Sequence, residues 1–188
     1  MRILMLGNSY TFFNDLPSVL ASLLGAEVTA HTRGGAHLAE QLNPETDMGR
    51  RTLTALRDEK WDYVIMQEQS KAPAETPEAF LRSAEALCAL IRASGAVPVF
   101  YATWAYRDGS EKLMSSGMTY EEMYARLHEA YAEAARRGGA LLADVGTAFR
   151  DRKDIEDLYH PDGSHPNAAG TALAARVMAD AITSEAGR

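Results

Sequence analysis

Five short, mostly apolar runs recur along the chain, and between them the apolar residues take up a helical period. The runs are Arg2–Leu6, Glu27–Thr32, Tyr63–Met66, Val97–Tyr101 and Leu141–Asp144, each close to a glycine or a Trp-Asp step. Such runs fit strands buried on both faces of a parallel sheet. In Pro77–Ala93, residues Phe80, Leu81, Ala84, Leu87, Cys88 and Ile91 fall on one stripe of a helix. Thr119–Arg137 repeats this with Tyr120, Met123, Tyr124, Leu127, Tyr131 and Ala134, and Asn167–Ser184 with Leu173, Val177, Met178, Ala181 and Ile182. Leu16–Leu24 and Gly49–Glu59 are two further expected helices. Thr76-Pro77 reads as an N-cap with a first-turn proline, and Thr119 with Glu122 as a capping box. The alternation predicts an α/β fold, doubly wound, with right-handed crossovers and about five strands. The 188 residues suit a single domain over 1–188, with no internal repeat or dividing linker. The longest irregular stretch is Thr103–Met118, a length often used for a lid or pocket wall.

Composition narrows the partners. The chain has 26 acidic and 19 basic residues, a net charge of −7, which disfavours polyphosphate and anionic membranes. No nucleic-acid or membrane partner is expected. MRILMLGNSY carries about five apolar residues before Gly7 and reads as a first strand, not a signal peptide. Cys88 is the single cysteine, so an intrachain disulfide or multi-cysteine metal cluster is excluded. A cytoplasmic protein is the simplest expectation.

Ligands of such folds sit beyond the carboxyl ends of the strands. Those ends are followed by Gly7-Asn8-Ser9-Tyr10-Thr11, Arg33-Gly34-Gly35-Ala36-His37, Gln67-Glu68-Gln69-Ser70 and Thr103-Trp104-Ala105-Tyr106. His160-Pro161-Asp162-Gly163-Ser164-His165-Pro166-Asn167 precedes the last helix. Acyl transfer needs a nucleophile, a base, a group orienting that base, and donors for an oxyanion. Ser9 follows a strand beside a glycine, where a tight turn can expose its hydroxyl. Asp162 and His165 are spaced so that the carboxylate can accept from one imidazole nitrogen while the other faces Ser9. The N–H groups of Ser9 and Gly35 can converge on an oxyanion, with the Gln69 amide as a third donor. Taken singly, each residue has a blander role: Ser9 as a turn or helix cap, Gly34-Gly35 as a turn, Gln69 as a loop-backbone partner.

Together the blocks resemble the SGNH hydrolase superfamily, also called the GDSL esterases and lipases. Gly7-Asn8-Ser9-Tyr10-Thr11 resembles its first block, Gly34-Gly35 its second, and Asp162-Gly163-Ser164-His165-Pro166 its last. The resemblance implies a three-layer α/β/α sandwich around a five-stranded parallel sheet. It implies a nucleophilic Ser9, a catalytic Asp162 and His165, and an oxyanion donor at Gly35. One block departs: Gln69 stands where the family's Gly-x-Asn-Asp has asparagine. It resembles a bacterial branch with glutamine in the third block, and the departure bears on substrate class more than on Ser9.

Asn8, Arg33, Gly34, Glu68 and Trp104 are candidate pocket residues. Asn8 is expected mainly to organise the turns. Arg33 and Glu68 either read a polar substrate group or pair with each other. Trp104, like Tyr106, Met114 and Met118, either lines a pocket or packs locally; Tyr10 and Phe12 are wall or core. His160, Asp162, His165 and His37 have metal-ligand chemistry, but Pro161 and Pro166 stiffen the loop and no helical His-x-x-x-His pair exists, so neither metal nor cofactor is expected. Phosphate-loop, dinucleotide and Gly-x-Ser-x-Gly signatures are missing from the sequence. The expected activity is hydrolysis of small carboxylic esters, of short acyl or acetyl type and including acetylated sugars. The competing expectation is a binding module that kept the fold and lost the chemistry.

Overall fold

The apolar runs assemble into one five-stranded parallel sheet of order β2-β1-β3-β4-β5. The computed structural model describes residues 1–186. The strands are β1 (Arg2–Gly7), β2 (Glu27–Thr32), β3 (Tyr63–Met66), β4 (Val97–Ala102) and β5 (Leu141–Asp144). The helices are α1 (Ser9–Phe12), α2 (Leu16–Leu24), α3 (Leu38–Gln41), α4 (Asp47–Asp58) and α5 (Ala72–Glu75). They continue with α6 (Pro77–Ala93), α7 (Glu111–Ser116), α8 (Tyr120–Gly138), α9 (Val145–Arg150) and α10 (Ala168–Ala186).

The pleat sorts each strand into two cores. Leu4 and Leu6 of β1 join Leu56 of α4, Phe80, Leu87 and Ile91 of α6, and Tyr131 of α8. Ile3 and Met5 face the other way, with Leu16 and Leu20 of α2, Phe149 of α9, and Met178 and Ile182 of α10. Each such fully buried large side chain contributes about 1.5–3 kcal/mol from removal of apolar surface. The result is the three-layer α/β/α sandwich. The chain runs from β1 to β2 on one side and then crosses to β3 on the other, so the carboxyl ends of β1 and β3 flank the switch point. No helix among the described residues is long and apolar enough to cross a membrane.

All five strands and the five longer helices lie within about two residues of their expected bounds, which is the usual disagreement at helix ends. The Thr119 capping box forms, with Thr119 Oγ1 accepting from the Glu122 N–H and the Glu122 carboxylate accepting from the Thr119 N–H. Thr76 does not cap α6: its hydroxyl instead donates to Ala72 O at 3.1 Å, because this residue also closes α5. The fourth helix starts at Asp47, earlier than expected, since the Thr46 hydroxyl accepts from the Gly49 N–H. The Thr103–Met118 stretch contains α7, capped by Ser110. Short helices such as α1, α3 and α5 are single turns, too brief to show a period.

Candidate functional site

β1 delivers Gly7, Asn8 and Ser9 to the carboxyl edge of the sheet. Gly7 must lack a side chain, because a Cβ there would collide with Thr11 Oγ1 and with Gln67 Oε1. Asn8 is the N-cap of α1: its Oδ1 accepts from the Tyr10 N–H at 3.1 Å. Its buried amide donates to Ala36 O at 3.0 Å and Glu68 O at 3.4 Å, binding three strand-end loops together. Ser9 therefore opens the helix, where backbone N–H groups have no intrahelical acceptor.

The second half of the constellation comes from the loop before α10. Tyr159 and Pro166 form an antiparallel bridge, and the His160 N–H donates to His165 O at 2.8 Å. Gly163 completes the turn at φ 74°, in the left-handed region that glycine tolerates. Asp162 Oδ1 accepts from the Ser164 and His165 N–H groups at 2.9 and 3.0 Å. That fixes the carboxylate so that Oδ2 lies 2.5 Å from His165 Nδ1, while His165 Nε2 lies 2.8 Å from Ser9 Oγ. With the proton on Nδ1, the imidazole donates to Asp162 and accepts from the Ser9 hydroxyl. Partial burial works against the Asp162 charge, but the His165 imidazole and the two N–H groups outweigh it. The carboxyl is held well below the usual range.

Gly35 and Gln69, the expected oxyanion donors, follow β2 and β3 at the same carboxyl edge. Gly35 sits at φ 69° with open space where a Cβ would be. Gln69 Oε1 accepts from the N–H groups of Lys71 and Ala72 at 3.0 and 3.1 Å, and its amide donates to Ser70 Oγ at 3.2 Å. That amide carries two N–H bonds, so one remains for another acceptor.

The pocket candidates separate. Trp104 is a correction: it is fully buried, stacked between Tyr10 at 4.9 Å and Phe149 at 4.0 Å, and donates to Ser164 O. It braces the loop from behind and lines no pocket. Arg33 and Glu68 do not pair with each other. Arg33 Nη2 donates to both carboxylate oxygens of Glu40 at 2.6 and 2.5 Å and Nη1 donates to Gly34 O, steadying the Gly34-Gly35 turn. Glu68 is buried and turned inward: its carboxylate accepts from the Gln69 N–H at 2.6 Å and the Leu38 N–H at 3.3 Å, and lies 3.0 Å from His37 Nδ1. Burial pushes its carboxyl up, opposed by these N–H groups and His37. Tyr10 is core and Phe12 is 44% exposed. His160 stands 3.6 Å from Asp162 Oδ1. Among the described residues, no group of three or more His, Cys, Asp or Glu is placed to hold a metal ion.

Three contributors were not foreseen. Gln67 Oε1 accepts from the Asn8 N–H at 3.1 Å and from the Thr11 hydroxyl at 2.9 Å. Asn14 occupies the left-handed region at φ 50°, followed by Asp15 at 53°, and its amide donates to Pro166 O and Thr171 Oγ1. This turn ties the chain after Ser9 to the His165 loop. Asn-Asp at the head of a helix was the available signal, since these residues tolerate that region. The Phe13 ring stacks on the His165 imidazole at 4.6 Å, fixing its plane. A cavity of about 810 Å³ opens beside Asp162, walled by Tyr106, Arg107, Lys112 and Gly163.

A three-layer sandwich with a hydrogen-bonded Ser, His and Asp at the carboxyl edge of its sheet is the architecture of a hydrolase. The chain belongs to the GDSL-like lipase/acylhydrolase family, which residues 5–173 match, and so to the SGNH hydrolases. A solved structure from Slackia heliotrinireducens, described as a candidate SGNH hydrolase, is 52% identical, with a TM-score of 0.94 over 97% of this chain and 98% of that one. A DUF4886 family protein from Bacteroides uniformis shares the fold at 21% identity, with a TM-score of 0.76 over 98% of this chain and 83% of that one. A candidate arylesterase from Agrobacterium tumefaciens does so at 19% identity, with a TM-score of 0.72 over 97% and 98%. No curated protein matches the sequence.

Proposed function

We propose that this hydrolase cleaves carboxylic esters of short acyl groups, acetyl esters of carbohydrates among them, through an acyl-enzyme. The observation that carries the reading is the continuous relay from Asp162 Oδ2 to His165 Nδ1 at 2.5 Å and from His165 Nε2 to Ser9 Oγ at 2.8 Å. Ser9 Oγ attacks the ester carbonyl carbon as His165 Nε2 takes its proton. The tetrahedral oxyanion forms against the N–H groups of Ser9 and Gly35 and the second amide N–H of Gln69. The intermediate collapses, the C–O bond to the alcohol breaks, and the leaving oxygen receives the proton from His165. Water, deprotonated by His165, then attacks the acyl-Ser9 carbonyl; the bond from the acyl carbon to Ser9 Oγ breaks, His165 returns the proton to Oγ, and the carboxylic acid leaves. Asp162 stays ionised throughout and stabilises the imidazolium.

Intact-mass analysis after incubation with a fluorophosphonate tests this reading. Wild type is expected to gain one adduct, located on Ser9, with Ser9→Ala gaining none and His165→Ala reacting far more slowly. Folded wild-type protein that takes no adduct and turns over no ester of a panel varying acyl length would overturn it in favour of a binding module.

A further inference from the structure

Lys112 lies on α7, in the connection between β4 and α8, far in sequence from the last block. Its ammonium nevertheless reaches the triad loop from outside. Nζ donates to Ser164 Oγ and stands 3.5 Å from Asp162 Oδ2, the same oxygen that meets His165 Nδ1. Ser164 is buried, and its N–H and carbonyl are already committed to Asp162 Oδ1 and Trp104 Nε1. The other groups around this carboxylate carry no competing fixed charge. His160 stands 3.6 Å from Oδ1, burial pushes the Tyr10 and Tyr106 hydroxyls up in pKa, and the Tyr106 hydroxyl lies 2.8 Å from Ser70 Oγ. Lys71 and Arg107 line the neighbouring cavity but are turned to Glu75 at 2.9 Å and Asp157 at 3.6 Å. The His165 ring itself is bounded by Phe13 and by the edge of Tyr10.

We propose that Lys112 is a positioning residue of the Ser9–His165–Asp162 relay, sharing Asp162 Oδ2 with His165 and so coupling α7 electrostatically to the base; this rests on the hydrolase reading above. The physical consequence has a definite sign. A cation on Oδ2 withdraws part of the carboxylate's field from the imidazole, making the imidazolium harder to form. The base then stays unprotonated, and the enzyme stays active, further into the acid range than the His–Asp pair alone would permit. Lys112 does not touch the reacting atoms; it acts through Asp162.

The test compares wild type, Lys112→Gln and Lys112→Arg in the pH dependence of kcat/KM on p-nitrophenyl acetate, alongside an NMR titration of the His165 ring. Lys112 is on the exposed face of α7 with 43% of its side chain accessible, so these changes leave the core intact. Lys112→Gln should move the acid limb and the ring titration to higher pH by about 0.5–1 unit, and Lys112→Arg by no more than about 0.2. The proposal is overturned if Lys112→Gln tracks wild type, or if Lys112→Arg moves as far as Lys112→Gln, which would assign the effect to packing. Should wild type neither hydrolyse the ester nor take a phosphonate, the hydrolase reading fails, and the ring titration in the same three proteins still decides the role of Lys112.

Discussion

On the His165 side of the site, the loop from Leu158 to Asn167 closes on itself. Its own N–H groups supply both bonds to Asp162 Oδ1, and its own bridge joins Tyr159 to Pro166. On the Gly35 and Gln69 side, almost nothing is local. Asn8 after β1, Gln67 and Glu68 after β3 and Leu38 from α3 meet through buried polar side chains, and Glu68 N–H donates to Tyr131 OH from α8. The first wall is shaped mainly by its own backbone, with Asn14 and Trp104 bracing it from outside. The second exists only once four separate segments have packed. A local wall tolerates loss of its neighbours, whereas a wall held by buried polar groups leaves several donors and acceptors unpaired when any one is removed.

The largest expected effect lies where the walls meet. Ser9→Ala should lower ester turnover by about 10⁶-fold while leaving the urea midpoint near wild type, as measured by steady-state kinetics and circular dichroism. Asp162→Asn keeps the shape of the local wall but spoils the tautomer, and should lower kcat by about 10⁴-fold. It also carries a pH signature. Because the folded Asp162 carboxyl is held low, its stabilisation is present above the unfolded value of about 3.9 and is lost as pH falls through the folded one. The gap in urea midpoint between wild type and Asp162→Asn should therefore shrink below about pH 4.

Gln69→Ala tests the other wall's chemistry. It should cost about 10²-fold in kcat with KM little changed, because it removes a donor that matters only as the oxyanion forms. Equal changes in kcat and KM would instead make Gln69 a loop brace. Asn8→Ala tests the wall's construction. Ala36 O and the Tyr10 N–H lose this partner while Glu68 O keeps the Gln67 amide, so about 2–4 kcal/mol of stability should go, read as a drop in Tm of roughly 5–10 °C. If Asn8→Ala melts with wild type, the contrast between the two walls is wrong. Arg33→Ala should be mildest, less than about threefold in kcat/KM, since its ion pair to Glu40 is exposed and screened by solvent.

The same contrast explains what could be read from the sequence. Asp162, Gly163 and His165 could be read as a unit because their geometry is set within four residues. The strands could be read because burial on both faces leaves unbroken apolar runs such as Tyr63–Met66. Glu68 could not: a carboxylate in a polar tetrapeptide looks like a solvent-facing loop residue. Its inward turn depends on the Leu38 N–H, 30 positions away. Trp104 misled for the opposite reason. It lies after a strand in a loop of small and aromatic residues, and only the packing of α9 against it reveals a core position. Asn14 was hidden because its partners, Pro166 and Thr171, lie more than 150 positions away.

Trp104 has one more consequence. The chain has two tryptophans, and the fold sets them at opposite ends of the sheet. Trp61 precedes β3 at the amino edge, under the Arg2 guanidinium at 4.4 Å, whereas Trp104 follows β4 at the carboxyl edge, in the Tyr10 stack beside Ser9. With Trp61 replaced by phenylalanine, emission comes from Trp104 alone. The protein then carries its own optical reporter of the edge that holds Ser9, in which local loosening of the Ser164 loop changes the spectrum before the sheet itself gives way.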